Sequence, residues 1–205
     1  LLDGTSVPDK NKRNPFVGKN FEKIIIQEGI TRIGNYLFFA SSDTENSDPW
    51  DWKQTGIKEV VITGIHVASY GKDFDGLQEK KIRLIDLLEA INKIEGIQRI
   101  RLSSLEPTII DEEFVKRLVK LEKICDHFHL SLQSGCNETL KRMNRKYTTE
   151  RYKEAVDLLR KYYPNVNFTT DVIVGFPGET EEEFNETYEY LKKIHLTKTH
   201  VFKYS

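Results

Sequence analysis

Cysteine is scarce in this chain, and no apolar run is long enough to cross a bilayer. Its 205 residues include two cysteines, Cys125 and Cys136, and a single methionine. Two cysteines are too few for a disulfide framework, so we expect a reducing, cytoplasmic environment. The N-terminus also lacks the basic start and apolar core of a secretory signal, so we expect neither export nor a membrane partner.

Net charge is nearly absent as well. Lys and Arg total 31 against 32 Asp and Glu, which gives a formal net charge of −1. This balance excludes a chain whose whole surface attracts nucleic acid. One local basic run, LKRMNRKYTTERYK, is either a solvated helix start or a patch for RNA phosphates. The predicted RNA-binding residues in it are Arg142, Arg145, Lys146 and Arg151.

Short β-branched or apolar runs alternate with helical patterns along the chain. Six runs have the length of strands: KIIIQEG, EVVITGIH, RIRLSSLEP, HFHLSLQSG, FTTDVIVGFPG and THVFKYS. Helices lie between most of them, with N-caps predicted at Asp111, at Thr148 or Thr149, and at Thr180. Such alternation predicts parallel strands joined by right-handed crossovers. We therefore expect an α/β fold, an open, partial (β/α)6 TIM-like barrel, with a doubly wound sheet as the alternative.

The first fifty-odd residues do not follow this alternation. Residues 1–20 are polar and predict an irregular lead-in, whereas residues 21–205 are predicted to form the barrel core, most regularly over 56–205. The segment SSDTENSDPWDWKQTG is rich in turn residues, so the helix between the first two strands is expected to be shortened or lost. The chain starts without methionine and stops inside the last strand, so we expect a piece of a longer protein.

Small and polar residues recur at the carboxyl ends of the predicted strands, where barrels of this type place their working residues. Small side chains let a ligand approach the backbone, and polar ones can hold a zwitterion and a ribose. The candidates are Thr63, Gly64, His66, Ser103, Ser104, Glu106, Gln133, Ser134, Gly135, Asp171, Val174, Gly175, Gly178, Glu179 and Tyr204. Considered one at a time, most of these residues have an ordinary structural role, as a turn glycine, a structural histidine or a buried acid. Together they predict a ligand-binding mouth.

Four longer motifs resemble the radical-SAM tRNA methylthiotransferases. They are VVITGIHVASYGKD, IRLSSLEP, HLSLQSGCNETLKRMNRKYT and TTDVIVGFPGETEEEF, in the family's order between Ile57 and Ser205. TGIHVASYG and SSLEP are similar to the branch that modifies N6-threonylcarbamoyladenosine beside the anticodon. The resemblance implies a radical-SAM barrel and a cytoplasmic transferase that methylthiolates tRNA. Its implied cofactors are S-adenosylmethionine (SAM) and a 4Fe-4S cluster, and its partners include a reductant and a sulfur donor.

The resemblance also implies a cofactor site, without naming a catalytic residue. The end of the second strand would receive the methionine amino group, and the end of the fourth would face the ribose or carboxylate. The fifth and sixth strands would support the adenine. The cofactor-binding residues implied in this way are Thr63, Gly64, Ser104, Gln133, Ser134, Asp171, Val174, Gly175 and Tyr204.

The stretch KIIIQEGITRIGNYLFF resembles the family's first strand and cluster loop but lacks its Cys-x3-Cys-x2-Cys. Alignment on IQEG places the three ligand positions at Ile30, Gly34 and Leu37. These residues cannot bind iron, because such clusters need thiolates. Cys125 and Cys136 are too few to replace three ligands. We therefore predict no metal site from the sequence and impaired cluster binding.

Two other functions stay open at this point. One is a cluster-less barrel that binds SAM or RNA without turnover. The other is an ordinary metabolic (β/α) enzyme that uses His66, Asp171 and Glu179. The second needs an acid/base pair, and the sequence offers none at a diagnostic spacing.

Overall fold

The computed structural model describes residues 23–26, 58–64, 66–72 and 82–205. The predicted lead-in, the shortened helix before Gly56 and the three cluster positions lie outside the described residues. The chain divides into two compact units. The first contains the residues up to Ser103 together with Leu121–Cys125, and the second contains Ser104–Lys120 and Asp126–Ser205.

The first unit contains a three-stranded parallel sheet in the order β1-β2-β3. Its strands are β1 (Lys23–Ile26), β2 (Glu59–Ile62) and β3 (Arg99–Leu102). A 3-10 turn at Val67–Ser69 and helix α1 (Leu84–Asn92) lie between β2 and β3. Leu84, Ile85, Leu88 and Ile91 of α1 are buried, and this spacing forms one apolar stripe along the helix.

The second unit contains a four-stranded parallel sheet in chain order, β4-β5-β6-β7. The strands are β4 (Ser104–Leu105), β5 (His127–Leu130), β6 (Asn167–Val174) and β7 (Lys198–Lys203). Between them lie α2 (Glu112–Leu118), α3 (Asn137–Arg142), α4 (Thr149–Tyr162) and α5 (Glu181–Ile194). The predicted alternation and the predicted parallel pairing are both confirmed.

The run RIRLSSLEP, predicted to be one strand, is divided between the two sheets. The backbone N–H of Ser103 still donates to Ile62 O at the end of β2, at 2.8 Å. Leu105 instead pairs with Leu130 of β5. The strand thus changes partner at Ser103, which a run of apolar residues does not reveal. The structure also adds helix α3, six residues long, whose second half overlaps the start of the basic run.

Local side-chain capping explains where α2, α4 and α5 begin. Asp111 accepts from Phe114 N at 2.8 Å, and Thr148 accepts from Arg151 N at 3.3 Å. Thr180 and Glu183 form a reciprocal capping box at the start of α5. The predicted N-caps are therefore confirmed, with Thr148 rather than Thr149 at the start of α4. No helix in the described ranges has the length and apolar character of a membrane span.

Strand alternation gives the second unit's sheet one apolar and one polar face. The apolar face packs into the core with α4. Its buried residues include Phe128, Leu130, Phe168, Val172, Tyr152, Ala155, Val156 and Leu159. The opposite face carries His127, His129, Thr169, Asp171 and His200, all of which are half-buried. A period of two in the sequence therefore separates the core from a polar surface.

Candidate functional site

The chain leaves β5 through a left-handed residue, Gln133. Its φ of 69° is uncommon outside glycine. Both backbone groups of Gln133 are bonded to β6: its N–H donates to Asp171 O at 2.8 Å, and its carbonyl accepts from Ile173 N at 2.9 Å. The side chain is half-buried at the edge of the sheet. The fold therefore fixes the Gln133 backbone and leaves an amide side chain where the strands end.

The next two residues are held against helix α5. Ser134 has no exposed surface, and its hydroxyl lies 3.0 Å from Thr187 Oγ1. Gly135 N donates to the same Thr187 oxygen at 3.1 Å, and Cys136 N donates to Ser134 Oγ at 3.2 Å. A Cβ on Gly135 would lie 2.8 Å from Tyr190 Cβ and 2.9 Å from Thr187 Cα. Gly135 is thus required by close helix packing, and the Ser134 hydroxyl supports the same turn.

The loop after β6 presents an open backbone. Gly175 is exposed with φ of +73°, and a Cβ built on it meets no atom within 4 Å. Its N–H donates to Glu179 Oε2 at 2.5 Å, which closes the loop. Glu179 Oε1 is buried and has no hydrogen-bond partner in the described structure. The side of Gly175 on which other residues carry a Cβ is therefore open to a planar ligand, whereas its N–H is occupied by Glu179.

Tyr204 lies beside this loop. Its backbone N–H donates to Val174 O at 2.9 Å. Its ring packs edge-on against Phe176 with the centroids 5.2 Å apart, and 45% of the residue stays exposed. Val174 is half-buried at the end of β6. The structure thus brings Val174, Gly175 and Tyr204 together, as the predicted site requires.

Asp171 lies on the polar face, between two histidines that were not among the residues predicted from the sequence. Its Oδ2 is 3.3 Å from His129 Nε2, and its Oδ1 is 3.2 Å from His200 Nδ1. The two imidazole rings are stacked with centroids 6.2 Å apart and planes 16° apart. Both carboxylate oxygens therefore face imidazole nitrogens. In the strands HFHL, TTDVIV and THVF, every second residue lies on the same face of the sheet. Combined with parallel pairing of these strands, this alternation could have predicted the cluster.

The four predicted RNA-binding cations differ in their partners. Arg142 makes a two-pronged ion pair with Glu183, a hydrogen-bonded pair that raises the pKa of Arg142 and lowers that of Glu183. Arg151 donates to Ile110 O at 2.7 Å, and its other terminal nitrogen lies 3.6 Å from Glu154. The guanidinium groups of Arg142 and Arg151 thus already have hydrogen-bond or ion-pair partners within the protein.

The other two cations are less tied to the protein. Lys146 is exposed and donates to Asn144 Oδ1 at 2.7 Å. Arg145 is half-buried, and its Nε has no hydrogen-bond partner in the described structure. Lys146 therefore has the greater freedom to reach a phosphate.

The remaining candidates occupy the ends of β2, β3 and β4. Thr63 and Gly64 follow β2 and are half-buried, and His66 Nδ1 bonds to Ser69 Oγ. In the same unit, Ser103 Oγ is buried without a hydrogen-bond partner among the described groups. In the second unit, Ser104 is exposed, and Glu106 Oε2 accepts from Thr108 Oγ1 at 3.4 Å.

The cysteines do not form a cluster site. Cys125 is half-buried, whereas Cys136 is buried at the start of α3, where desolvation raises the pKa of its thiol. A 4Fe-4S cluster needs three or four thiolates, and the 205 residues contain only these two cysteines. The residues present therefore do not fit the cluster.

Residues 51–191 match the Radical SAM superfamily. These residues are most of the chain, and the chain belongs to this superfamily. Within it, the resemblance to the radical-SAM tRNA methylthiotransferases is confirmed by curated relatives.

Three of these relatives represent two substrate branches. The chain is 46% identical over 150 residues to the threonylcarbamoyladenosine tRNA methylthiotransferase MtaB of Bacillus subtilis (strain 168), covering 73% of this chain and 32% of the relative. It is 49% identical over 152 residues to MtaB of Aquifex aeolicus (strain VF5), covering 74% and 36%. It is 45% identical over 152 residues to the tRNA-2-methylthio-N(6)-dimethylallyladenosine synthase of Thermoanaerobacter sp. (strain X514), covering 74% and 31%. The chain thus spans about a third of the length of these relatives.

Two solved structures share the fold at low identity. Coproporphyrinogen III oxidase (HemN) from Escherichia coli, a radical SAM enzyme, aligns with a TM-score of 0.56 at 16% identity, over 73% of this chain and 32% of that one. Archaeal Elp3 from Methanocaldococcus infernus aligns with a TM-score of 0.52 at 13% identity, over 92% and 46%. Together with the parallel sheets, these matches confirm the predicted α/β, TIM-like radical SAM fold.

Proposed function

We propose that this chain is the SAM-binding part of a tRNA methylthiotransferase that acts on N6-threonylcarbamoyladenosine beside the anticodon. The supporting observation is its identity of 46% and 49% to two relatives that carry that name. The dimethylallyladenosine synthase follows at 45%, so sequence identity separates the two branches only slightly. Direct measurement of the modified nucleoside therefore has to decide the substrate.

The adenine of SAM is assigned to the surface formed by Val174, Gly175 and Tyr204. This surface combines an apolar side chain, a backbone open to approach and a half-exposed aromatic ring. Gln133 supplies an amide with donors and an acceptor for the ribose or the carboxylate. The bound cofactor supplies the reactive chemistry, whereas these residues bind and orient it.

The other predicted cofactor contacts differ in their exposure and in the partners that they already have within the protein. Thr63 and Gly64 follow β2 as small, half-buried residues, which suits a backbone-lined site for the methionine amino group. Ser104 is exposed and can reach a ligand. The Ser134 hydroxyl is already bonded to Thr187, so its contribution is to hold the turn that positions Gln133. Asp171 acts from the polar face, where two histidines orient its carboxylate.

The tRNA is assigned to the exposed side of the basic run, with Lys146 and Arg145 as the phosphate contacts. Arg142 and Arg151 shape this region through their internal partners. The reductant and the sulfur donor are further proposed partners, by resemblance to the family.

The cysteine count favours a second candidate function, which is binding of SAM or tRNA without turnover. Two cysteines cannot supply the three thiolates that a radical SAM cluster uses. We therefore assign no catalytic step to this chain through an iron-sulfur cluster.

Two glycines provide a matched test of the cofactor site. Gly175 and Gly178 lie in the same loop, with φ of +73° and +82°. Alanine at either position carries the same left-handed backbone penalty, about 1 kcal/mol. Only Gly175→Ala places a methyl group in the proposed adenine surface. Calorimetric titration with SAM should show at least a tenfold loss of affinity for Gly175→Ala and little change for Gly178→Ala. Equal losses for both variants would contradict the assignment.

The substrate is tested with a variant that carries Ile30→Cys, Gly34→Cys and Leu37→Cys together, which restores the three predicted cluster ligands. The variant is expressed in a bacterial strain that lacks its own tRNA methylthiotransferases. Mass spectrometry of the tRNA nucleosides should show the 2-methylthio derivative of N6-threonylcarbamoyladenosine. The 2-methylthio derivative of dimethylallyladenosine would instead place the chain in the other branch. Absence of both products, with SAM binding retained, would support the non-catalytic candidate.

A further inference from the structure

The polar face of the second unit's sheet carries a chain of contacts that crosses three neighbouring strands. His127 Nε2 of β5 lies 3.2 Å from Thr169 Oγ1 of β6, and the same oxygen lies 2.9 Å from His129 Nδ1. His129 then faces Asp171, which in turn faces His200 of β7. Register explains the arrangement, because Asp171 pairs directly with His200 and His129 pairs with Thr169, two residues before Asp171. The backbone ladder therefore fixes the positions of all these side chains.

His129 has an unusual buried nitrogen. Its Nε2 is inaccessible to solvent and has no hydrogen-bond partner in the described structure, although Asp171 Oδ2 lies only 3.3 Å away. The single Thr169 hydroxyl proton can be donated to one histidine only. When it is donated to His127, Thr169 accepts from His129 Nδ1–H, and the Nε2 lone pair faces a carboxylate oxygen. Two facing lone pairs repel each other, and a cation between them removes the repulsion.

The donor atoms of His129, Asp171 and His200 fit a transition-metal ion. The three donor atoms, one from each residue, lie within 4.8 Å of one another. Metal–ligand distances of about 2.0–2.2 Å in a tetrahedral site correspond to donor separations of about 3.3 Å. The observed His–Asp separations are 3.3 and 3.2 Å, each to a different oxygen of Asp171, and one donor atom from each residue lies within 4.8 Å of the others. The three side chains therefore need only small movements to close around an ion.

The surroundings of these three side chains also suit a metal centre. Thr169 Oγ1 contacts the Nδ1 of His129, which fixes the ring and directs Nε2 at the site, as partners of metal-binding histidines commonly do. The side chains of His129, Asp171 and His200 keep 15%, 29% and 40% of their surface exposed. An ion can therefore enter from the polar face. Two neutral imidazoles and one carboxylate suit Zn²⁺, Fe²⁺ or Co²⁺ far better than Mg²⁺ or Ca²⁺, which prefer oxygen ligands.

We propose that His129, Asp171 and His200 form a mononuclear site for a divalent transition-metal ion, with coordination positions left over for water or a small ligand. The inference rests on the polar face of the sheet and shares Asp171 with the proposed SAM site, whereas His129 and His200 have no part in the proposed function. It concerns an ion held by imidazole and carboxylate, a donor set unlike the thiolates of an iron-sulfur cluster.

The site is tested with metal alone. The purified chain is stripped with a chelator and titrated with Zn²⁺ by calorimetry, and with Co²⁺ by visible absorption. We expect one ion per chain. His129→Gln and His200→Gln should each weaken binding at least tenfold, because a Gln amide can donate to Asp171 but is a poor metal ligand. His195→Asn is the matched control: it removes a histidine outside the site, at a left-handed position that Asn tolerates. Its metal affinity should equal that of the unchanged chain.

X-ray absorption of the Co²⁺-loaded, unchanged chain gives a second readout that does not depend on any variant folding. Scattering from two imidazoles and no sulfur is expected. The proposal is overturned by absence of tight binding to the unchanged chain, by Gln variants that bind as tightly as it does, or by a sulfur-containing coordination shell. Failure of the metal proposal can be distinguished from failure of the proposed function by calorimetry with SAM, because the comparison of Gly175→Ala with Gly178→Ala does not involve His129 or His200.

Discussion

Replacing Thr187 by valine tests the contact that holds the Gln133–Gly135 turn on helix α5. Thr187 is buried, and its hydroxyl contacts both Ser134 Oγ and Gly135 N. Valine has nearly the same shape, so the substitution removes the hydroxyl without opening a cavity. The buried Gly135 N–H then has no partner, and the Ser134 hydroxyl keeps only its bond from Cys136 N.

The expected cost follows from the unsatisfied groups. A buried donor left without an acceptor destabilises a protein by about 1–3 kcal/mol, so we expect Thr187→Val to lower the free energy of unfolding by about 2 kcal/mol. Thr187→Ser is the control, because it keeps the hydroxyl and removes one buried methyl group, at about 0.8 kcal/mol. Valine should therefore be the more damaging substitution, although serine changes the side-chain volume more.

Hydrogen exchange at the Gly135 amide measures the contact directly. A local loss of about 2 kcal/mol corresponds to about thirtyfold faster exchange through local opening. Denaturant unfolding of both variants gives the global value. The reverse order, with serine more destabilising than valine and no change in Gly135 exchange, would show that Thr187 acts by packing and that the hydroxyl is unimportant.

Three further predictions concern pH, RNA and iron. Burial raises the pKa of Tyr147 from 10.0 to about 12. The stabilisation that the neutral Tyr147 gives the folded state is therefore complete below pH 10 and is lost between pH 10 and about 12. Tyr147→Phe cannot ionise, so the free energy of unfolding of this variant should fall less over that pH range. Lys146→Ala should weaken tRNA binding and lower the slope of log affinity against log salt by about 1, as expected for one phosphate contact, whereas Arg151→Ala should leave the slope unchanged in filter-binding assays. The unchanged chain should take up no stoichiometric 4Fe-4S cluster in anaerobic reconstitution, whereas cysteine at all three predicted cluster positions should produce the brown absorption of a cluster; uptake by the unchanged chain would show the alignment of that loop to be wrong.

The sequence predicted the helix starts and the parallel sheets because both follow from local patterns. An N-cap such as Asp111 or Thr180 bonds to a backbone group three residues away, so the determining atoms lie within one short stretch of sequence. The alternation of strand and helix likewise fixes the direction of the next strand through the crossover.

Features that depend on distant pairing were missed. The partner change at Ser103 depends on which strand lies beside each residue, and the sequence of that strand alone does not contain this information. His129 and His200 join Asp171 because of the register between β5, β6 and β7. The role of Gly135 depends on Thr187, which lies 52 residues later in the chain.

The basic run shows the same limit in electrostatic terms. Arg142 and Arg151 could be recognised as cations near a strand end, but their partners are remote: Glu183 lies on α5 and Ile110 precedes α2. Charge counted along a sequence therefore overestimates the number of cations that are free for phosphate. Whether a cation is exposed or internally paired is decided by packing.

The chain-order arrangement of β4 to β7 has a consequence for synthesis on the ribosome. Each strand pairs with the strand that was synthesised immediately before it. The pairing partner of His127, Asn167, is nevertheless synthesised 40 residues later, and the partner of Thr169, Lys198, is synthesised 29 residues later. At translation rates of about 5–20 residues per second, these gaps last about 2–8 s and 1.5–6 s. The intervening helices can form within about a microsecond. The most recently added strand of the growing sheet therefore leaves its hydrogen-bonding edge unpaired for seconds until the next strand is synthesised. During that time, only dilution or a chaperone prevents this edge from pairing with another nascent chain.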